Sequence, residues 1–230
     1  MLVLLPGLDG TGLLFTEFVK ALGGNVACQV VAYPKDRPLG YAELAHLVLE
    51  ALPSGRRYVL LGESFSGPLA IRIAARKPPG LIGLILSVTF AKNPYPALRW
   101  ARHLAAFMPV KSLPRWLRAP LMWGGASPSR APPAAKRAMA GVSAAVIRHR
   151  IAALLAVDET AALGQLRLPT CVLRATRDRV ISLRATLSIM QTLPSARLVE
   201  IDGPHLLLQS RPAECAAIVE EFMHRAAAIS

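Results

Sequence analysis

The segment YVLLGESFSG, residues 58–67, decides how the chain is read. Tyr58, Val59, Leu60 and Leu61 form an apolar run that leads into Gly62, Glu63 and Ser64. Pro68–Ala75 then carries the apolar spacing of a helix. A strand that turns sharply into a helix forces the residue at the tip into a strained backbone conformation. The residues two places before and after that tip crowd each other, so they must be small, and Gly62 and Ser66 are. The turn projects the Ser64 hydroxyl beside a helix N-terminus, where free amides and the helix dipole favour negative charge.

The same alternation runs along most of the chain. Strands are expected at Leu2–Leu5, Ala27–Ala32, Tyr58–Leu61, Leu81–Val88, Thr170–Arg174 and Arg197–Ile201. Helices are expected around 13–22 and at Tyr41–Ala51, Pro68–Ala75, Leu183–Thr192 and Pro212–Ala227. Strands separated by helices of this length predict an α/β fold with a mostly parallel sheet of about six strands, helices covering it. Ligands on such sheets sit at the carboxyl ends of the strands. Between residues 90 and 160 the pattern is helical and turn-like only, with YPALRWARHLAAFMP and AAVIRHRIAALLAV flanking a proline- and glycine-rich stretch. The expected organisation is a core of residues 1–89 and 161–230 with a helical lid or cap at 90–160.

GESFSG resembles the nucleophile elbow of the α/β-hydrolase superfamily, with Ser66 where glycine is usual. The resemblance implies an order of serine, acid and histidine, the last two following late strands. CVLRATRDRVI places Asp178 after one such strand, and LVEIDGPHLLL places His205 after the next. The resemblance assigns Ser64 as nucleophile, His205 as general base and Asp178 as the group that orients it. Asp202 and Asp158 compete for the acid's role. His46, His103, His149 and His224 fall within helical patterns and read as surface or packing residues.

LLPGLDGTG, residues 4–12, resembles the superfamily's oxyanion loop, with Pro6 where histidine is common. Its glycines let backbone approach a ligand closely. The elbow implies the Phe65 amide as one oxyanion donor. Alignment of the Pro-Gly pair implies the Leu8 amide as the other, with Asp9 the neighbouring alternative. Superfamily members usually have two or more strands before this loop's strand, whereas here it is the first, so the expected fold lacks those strands.

Composition sets the outer limits. Hydrophobic residues make up 53 % of the 230 and charged residues 18 %, which excludes a disordered chain. No apolar run approaches the ~18–20 residues of a membrane span. The N-terminal MLVLLPGLDG lacks a basic flank and reads as a strand, so the expected compartment is the cytoplasm. Cys28, Cys171 and Cys215 are scattered through apolar segments and read as free thiols, and no metal or organic cofactor is expected.

The formal charge is +13, and it is unevenly placed. Residues 64–157 contain no Asp or Glu but fourteen Lys or Arg, from Arg72 to Arg150. This segment reads equally as a solvated face and as a field that speeds encounter with anions. Expected partners in the second case are an acidic carrier protein, an anionic substrate or an anionic membrane surface. Nucleic acid is not expected, since Trp100, Trp116 and Trp123 form no evident stacking platform. Leu104, Phe107, Met108, Leu117, Leu121, Met122 and Trp123 suit an acyl pocket or packing onto the core. The expected activity is hydrolysis of carboxylic esters through an acyl-enzyme. The alternatives are a thioesterase, a C–C hydrolase or lyase on the same scaffold, and a non-catalytic ligand- or carrier-binding module.

Overall fold

The first strand, LVLL, sends Leu2 and Leu4 to one side of the sheet and Val3 and Leu5 to the other, and all are fully buried. A strand covered on both faces must be apolar throughout, which is the signature of a parallel sheet inside helical layers. The computed structural model describes residues 1–105, 108, 110 and 133–229. Its strands are β1 (Leu2–Leu5), β2 (Cys28–Val30), β3 (Tyr58–Glu63), β4 (Leu81–Ser87), β5 (Thr170–Ala175) and β6 (Arg197–Ile201). They form one six-stranded sheet, ordered β2-β1-β3-β4-β5-β6, with every neighbouring pair parallel. The expected strands all form. β2 is shorter than its apolar run, and β3 continues through Gly62 to Glu63, delivering Ser64 directly at its end.

The helices are α1 (Thr16–Ala21), α2 (Tyr41–Ala51), α3 (Ser66–Ala75), α4 (Pro133–Ala140), α5 (Ala144–Ala156), α6 (Thr160–Gly164), α7 (Leu183–Thr192), α8 (Leu207–Ser210) and α9 (Pro212–Ile229). Helix α3 starts at Ser66, before Pro68, because a proline in a first turn sacrifices no intrahelical donor. On one face, Val3, Leu5, Leu60, Leu84 and Leu86 pack with α2, α3 and α7. On the other, Leu2, Leu4, Val59, Leu61 and Ile85 pack with α1 and α9.

Strand order dictates where the loops meet. The chain passes from β1 outward to β2, then returns to place β3 on the other side of β1. The direction of winding therefore reverses between β1 and β3, the place where such sheets open a crevice. Leu5 is opposite Gly62 in the register, so the loop after β1 lies next to the turn after β3.

The connection between β4 and β5 contains a 3-10 helix (Pro96–His103), α4, α5 and α6. Its two ends close on each other. Lys92 and Asp158 form an antiparallel bridge, Asn93 N donates to Val157 O (2.9 Å), and Glu159 N donates to Ala91 O (2.8 Å). Val142, Val146 and Ile147 of this connection pack with Val110 and with Leu8 of the β1 loop. The segment thus leaves and re-enters the sheet at one neck and touches the loop after β1.

Candidate active site

Ser64 sits at the carboxyl end of β3 with φ of +51°. Non-glycine residues populate this left-handed region sparsely, at a cost of about 1–3 kcal/mol, so the surroundings must hold it there. Ser64 N donates to Ser87 O (2.9 Å), and its carbonyl accepts from Gly67 N (3.1 Å) and from the Thr89 hydroxyl. A Cβ on Gly62 would stand 2.6 Å from the Ser66 carbonyl oxygen and 2.8 Å from the Ala70 Cβ. That is the crowding the small residues relieve.

Asp178 and His205 come from the loops after β5 and β6. Arg177 N donates to Gly203 O (3.0 Å) and joins these loops. The Asp178 Oδ1 accepts from the amides of Val180 (2.7 Å) and Ile181 (2.8 Å), which fixes the carboxylate. Its Oδ2 lies 2.8 Å from His205 Nδ1, and His205 Nε2 lies 2.9 Å from Ser64 Oγ. The side chains of His205 and Asp178 are each 4 % exposed, so water competes little for either contact. A carboxylate beside Nδ1 places the ring proton there and leaves Nε2 as the acceptor facing Ser64.

The competing carboxylates are elsewhere. Asp202 is 68 % exposed and pairs with Arg177 (2.8 Å). Asp158 accepts from the Thr160 amide (3.0 Å) at the neck of the connection. His46, His103, His149 and His224 are all exposed.

The β1 loop adjoins Ser64. A Cβ on Gly7 would lie 3.8 Å from the Ser64 Cβ. Among the described residues, the amides of Leu8, Asp9 and Phe65 donate to no protein acceptor. The Tyr41 hydroxyl donates to Phe65 O (2.8 Å), and the two rings stack with centroids 4.7 Å apart.

Four residues near the site make contacts that the reading of the sequence did not assign to them. Ser66 is fully buried, donates to the Pro6 carbonyl and lies 2.6 Å from the Tyr33 hydroxyl. Burial pushes the Tyr33 phenol above its ordinary range, which keeps it a neutral donor to Ser66. Glu63 is buried; this pushes its carboxyl up to about 7, against a hydrogen bond from Gln209 Nε2 (2.8 Å) that opposes the shift. Arg150 is 1 % exposed. It therefore does not belong to a solvated face, one of the two readings open for the basic segment 64–157. Its place on the stripe of Val146 and Ile147 is the signal that could have revealed it, since residues three and four apart share a helix face.

Of the other cations in that segment, Arg72 pairs with Glu159 (2.5 Å). Lys111, Arg115, Arg118 and Arg130, and the side chain of Lys136, lie outside the described residues. So do Phe107, Trp116, Leu117, Leu121, Met122 and Trp123. Leu104 (51 %) and Trp100 (63 %) are exposed. Among the described residues, no helix is long and apolar enough to cross a membrane, and no cluster of His, Cys, Asp and Glu could hold a metal ion.

A parallel sheet with a strained serine at its switch point is the architecture of one class. The profile of the alpha/beta hydrolase family matches residues 2–218, and the chain belongs to that family. Part of the polyketide synthase ThaQ of Burkholderia thailandensis is 29 % identical over 236 residues, covering 87 % of this chain and 10 % of that protein. The chain thus spans about a tenth of the length of that relative. The enol-lactonase of Burkholderia xenovorans superposes with a TM-score of 0.83 at 19 % identity, over 97 % of this chain and 90 % of that one. An esterase of Exiguobacterium antarcticum superposes with a TM-score of 0.79 at 14 % identity, over 96 % and 90 % of the two chains. At these identities the two structures are alike in fold.

Proposed function

We propose that the chain is a serine hydrolase that cleaves carboxylic esters through an acyl-enzyme. The observation that carries this reading is the unbroken contact from Asp178 Oδ2 through His205 to Ser64 Oγ, at 2.8 and 2.9 Å. His205 Nε2 takes the Ser64 proton as Oγ attacks the acyl carbon. Asp178 holds the imidazole in the required tautomer and stabilises the imidazolium. The amides of Phe65 and Leu8 receive the developing oxyanion, a contribution of about 3–4 kcal/mol for a well-aimed donor. The alcohol leaves with the proton from His205, and water activated by the same ring then releases the acid. Residues 90–160 act as a cap over this crevice, and their basic side chains favour an acyl substrate on an acidic carrier or an anionic ester.

The test is turnover of p-nitrophenyl butyrate and labelling by a fluorophosphonate probe. Wild type should turn over and carry the label on Ser64, while Ser64→Ala should lose both with an unchanged circular dichroism spectrum. Full activity in Ser64→Ala would remove Ser64 as nucleophile. A panel that includes acyl thioesters and C–C substrates separates ester cleavage from its relatives: preference for either over esters overturns the stated substrate class. Unchanged rates for acidic and neutral acyl substrates across an ionic-strength series would discard the anionic partner.

A further inference from the structure

Arg150 is a buried cation of the β4–β5 connection, and no carboxylate pairs with it among the described residues. It lies on α5, and its guanidinium reaches into the β1 loop. Nη1 donates to the carbonyls of Leu8 (2.9 Å) and Asp9 (2.8 Å), and Nη2 donates to the carbonyl of Pro34 (3.0 Å). The guanidinium carbon stands 5.5 Å from the centre of the Tyr33 ring. A Cβ on Gly10, whose φ is +69°, would come within 2.5 Å of Nη1, so the loop is wrapped tightly around the charge. Among the described residues, Nε is buried with no hydrogen-bond partner.

Burying a charge without a direct ion pair is costly, and the backbone carbonyls, the Tyr33 ring and the field of the buried Asp9 carboxylate offset part of it. What the arrangement accomplishes is orientation. A trans peptide points its N–H opposite to its C=O, and the described residues contain no cis bond. With the Leu8 carbonyl held by Arg150, the Asp9 N–H faces away from the guanidinium. With the Gly7 carbonyl taken by Gly10 N (3.0 Å), the Leu8 N–H faces out of that turn. Among the described residues, both amides are left without a protein acceptor, on a loop whose Gly7 adjoins Ser64.

We propose that Arg150 is a positioning residue for the β1 loop: it fixes the Leu8–Asp9 backbone so that a free amide meets the acyl oxygen of a substrate at Ser64. This rests on the hydrolytic reading above. It makes the β4–β5 connection a working part of the site as well as its cover.

Arg150→Met and Arg150→Lys test it, with p-nitrophenyl butyrate kinetics normalised to sites titrated by fluorophosphonate and with affinity for an alkyl boronic acid, a mimic of the tetrahedral state. Arg150→Met should lower kcat about 10²-fold, the scale of losing one oxyanion donor, with KM within about threefold and boronate affinity reduced alongside kcat. Arg150→Lys, which keeps the charge, should fall between the two. A structural role alone would lower the melting temperature and the number of titratable sites while leaving kcat per site intact. If Arg150→Met retains kcat per site within about twofold, the proposal is overturned. Should Arg150→Met fail to fold, unchanged kcat and boronate affinity in Arg150→Lys overturn it instead. A wild type that neither turns over nor labels overturns the hydrolytic reading and takes this proposal with it; an active wild type beside a fully active Arg150 variant overturns the proposal alone.

Discussion

The hydroxyl of Ser66 donates to the carbonyl of Pro6, and the hydroxyl of Tyr33 donates in turn to Ser66 across 2.6 Å. The residue that stands where the elbow usually has glycine therefore fastens the turn after β3 to the loop after β1. Ser66→Ala keeps the size but leaves a buried phenol and a buried carbonyl short of a partner. Such orphaned groups cost about 1–3 kcal/mol. The variant should lose that much stability in urea and about tenfold in kcat as the loop loosens. Ser66→Gly, which restores the usual motif, should not restore activity; full activity in Ser66→Gly would show that the fastening is idle.

Asp178 spends one carboxylate oxygen on its own turn and the other on His205. Asp178→Asn presents an amide that can donate to Nδ1, which favours the tautomer with its proton on Nε2, facing Ser64. On the scale known for such triads, kcat should drop by about 10⁴-fold. Asp202→Asn removes only exposed pairings and should leave kcat within about twofold. Equal losses in the two variants would reassign the acid.

Burial holds the Glu63 carboxyl at about 7 in the folded chain against an ordinary value of 4.5. The native state therefore binds this proton more tightly than the unfolded state does. The stability that this contributes is whole below about pH 4.5 and is lost as pH rises towards and through about 7. Glu63→Gln stays neutral and does not suffer that loss. Its stability relative to the parent should move in its favour by roughly 1–3 kcal/mol between pH 4.5 and 8. Urea melts at both ends of that range read the change, and an identical difference at both ends would refute it.

The sheet was legible because parallel strands buried on both faces must be written as short apolar runs, and LVLL and YVLL could be little else. The three segments that meet around Ser64 were legible for a related reason: a parallel sheet delivers the ends of β3, β5 and β6 to one rim. What stayed hidden depends on which way a side chain turns. Ser66 reads as a small residue filling a small space, and nothing local tells its hydroxyl to find Pro6. Arg150 lies within a stretch with many other cations, and charge counting treats it as one more. Only its phase relative to Val146 and Ile147 sets it apart, and helix phase becomes meaningful once the buried face is known.

Arg150 also bears on how separable the parts of this molecule are. The neck formed by Lys92 and Asp158 offers a natural splice point at which one β4–β5 connection could be exchanged for another. An exchange made there would remove the donor from the Leu8 and Asp9 carbonyls and leave a hole beside Tyr33. A chimera that keeps the sheet, the serine turn and the imidazole would still need its graft to carry a matching cation inward at the same depth.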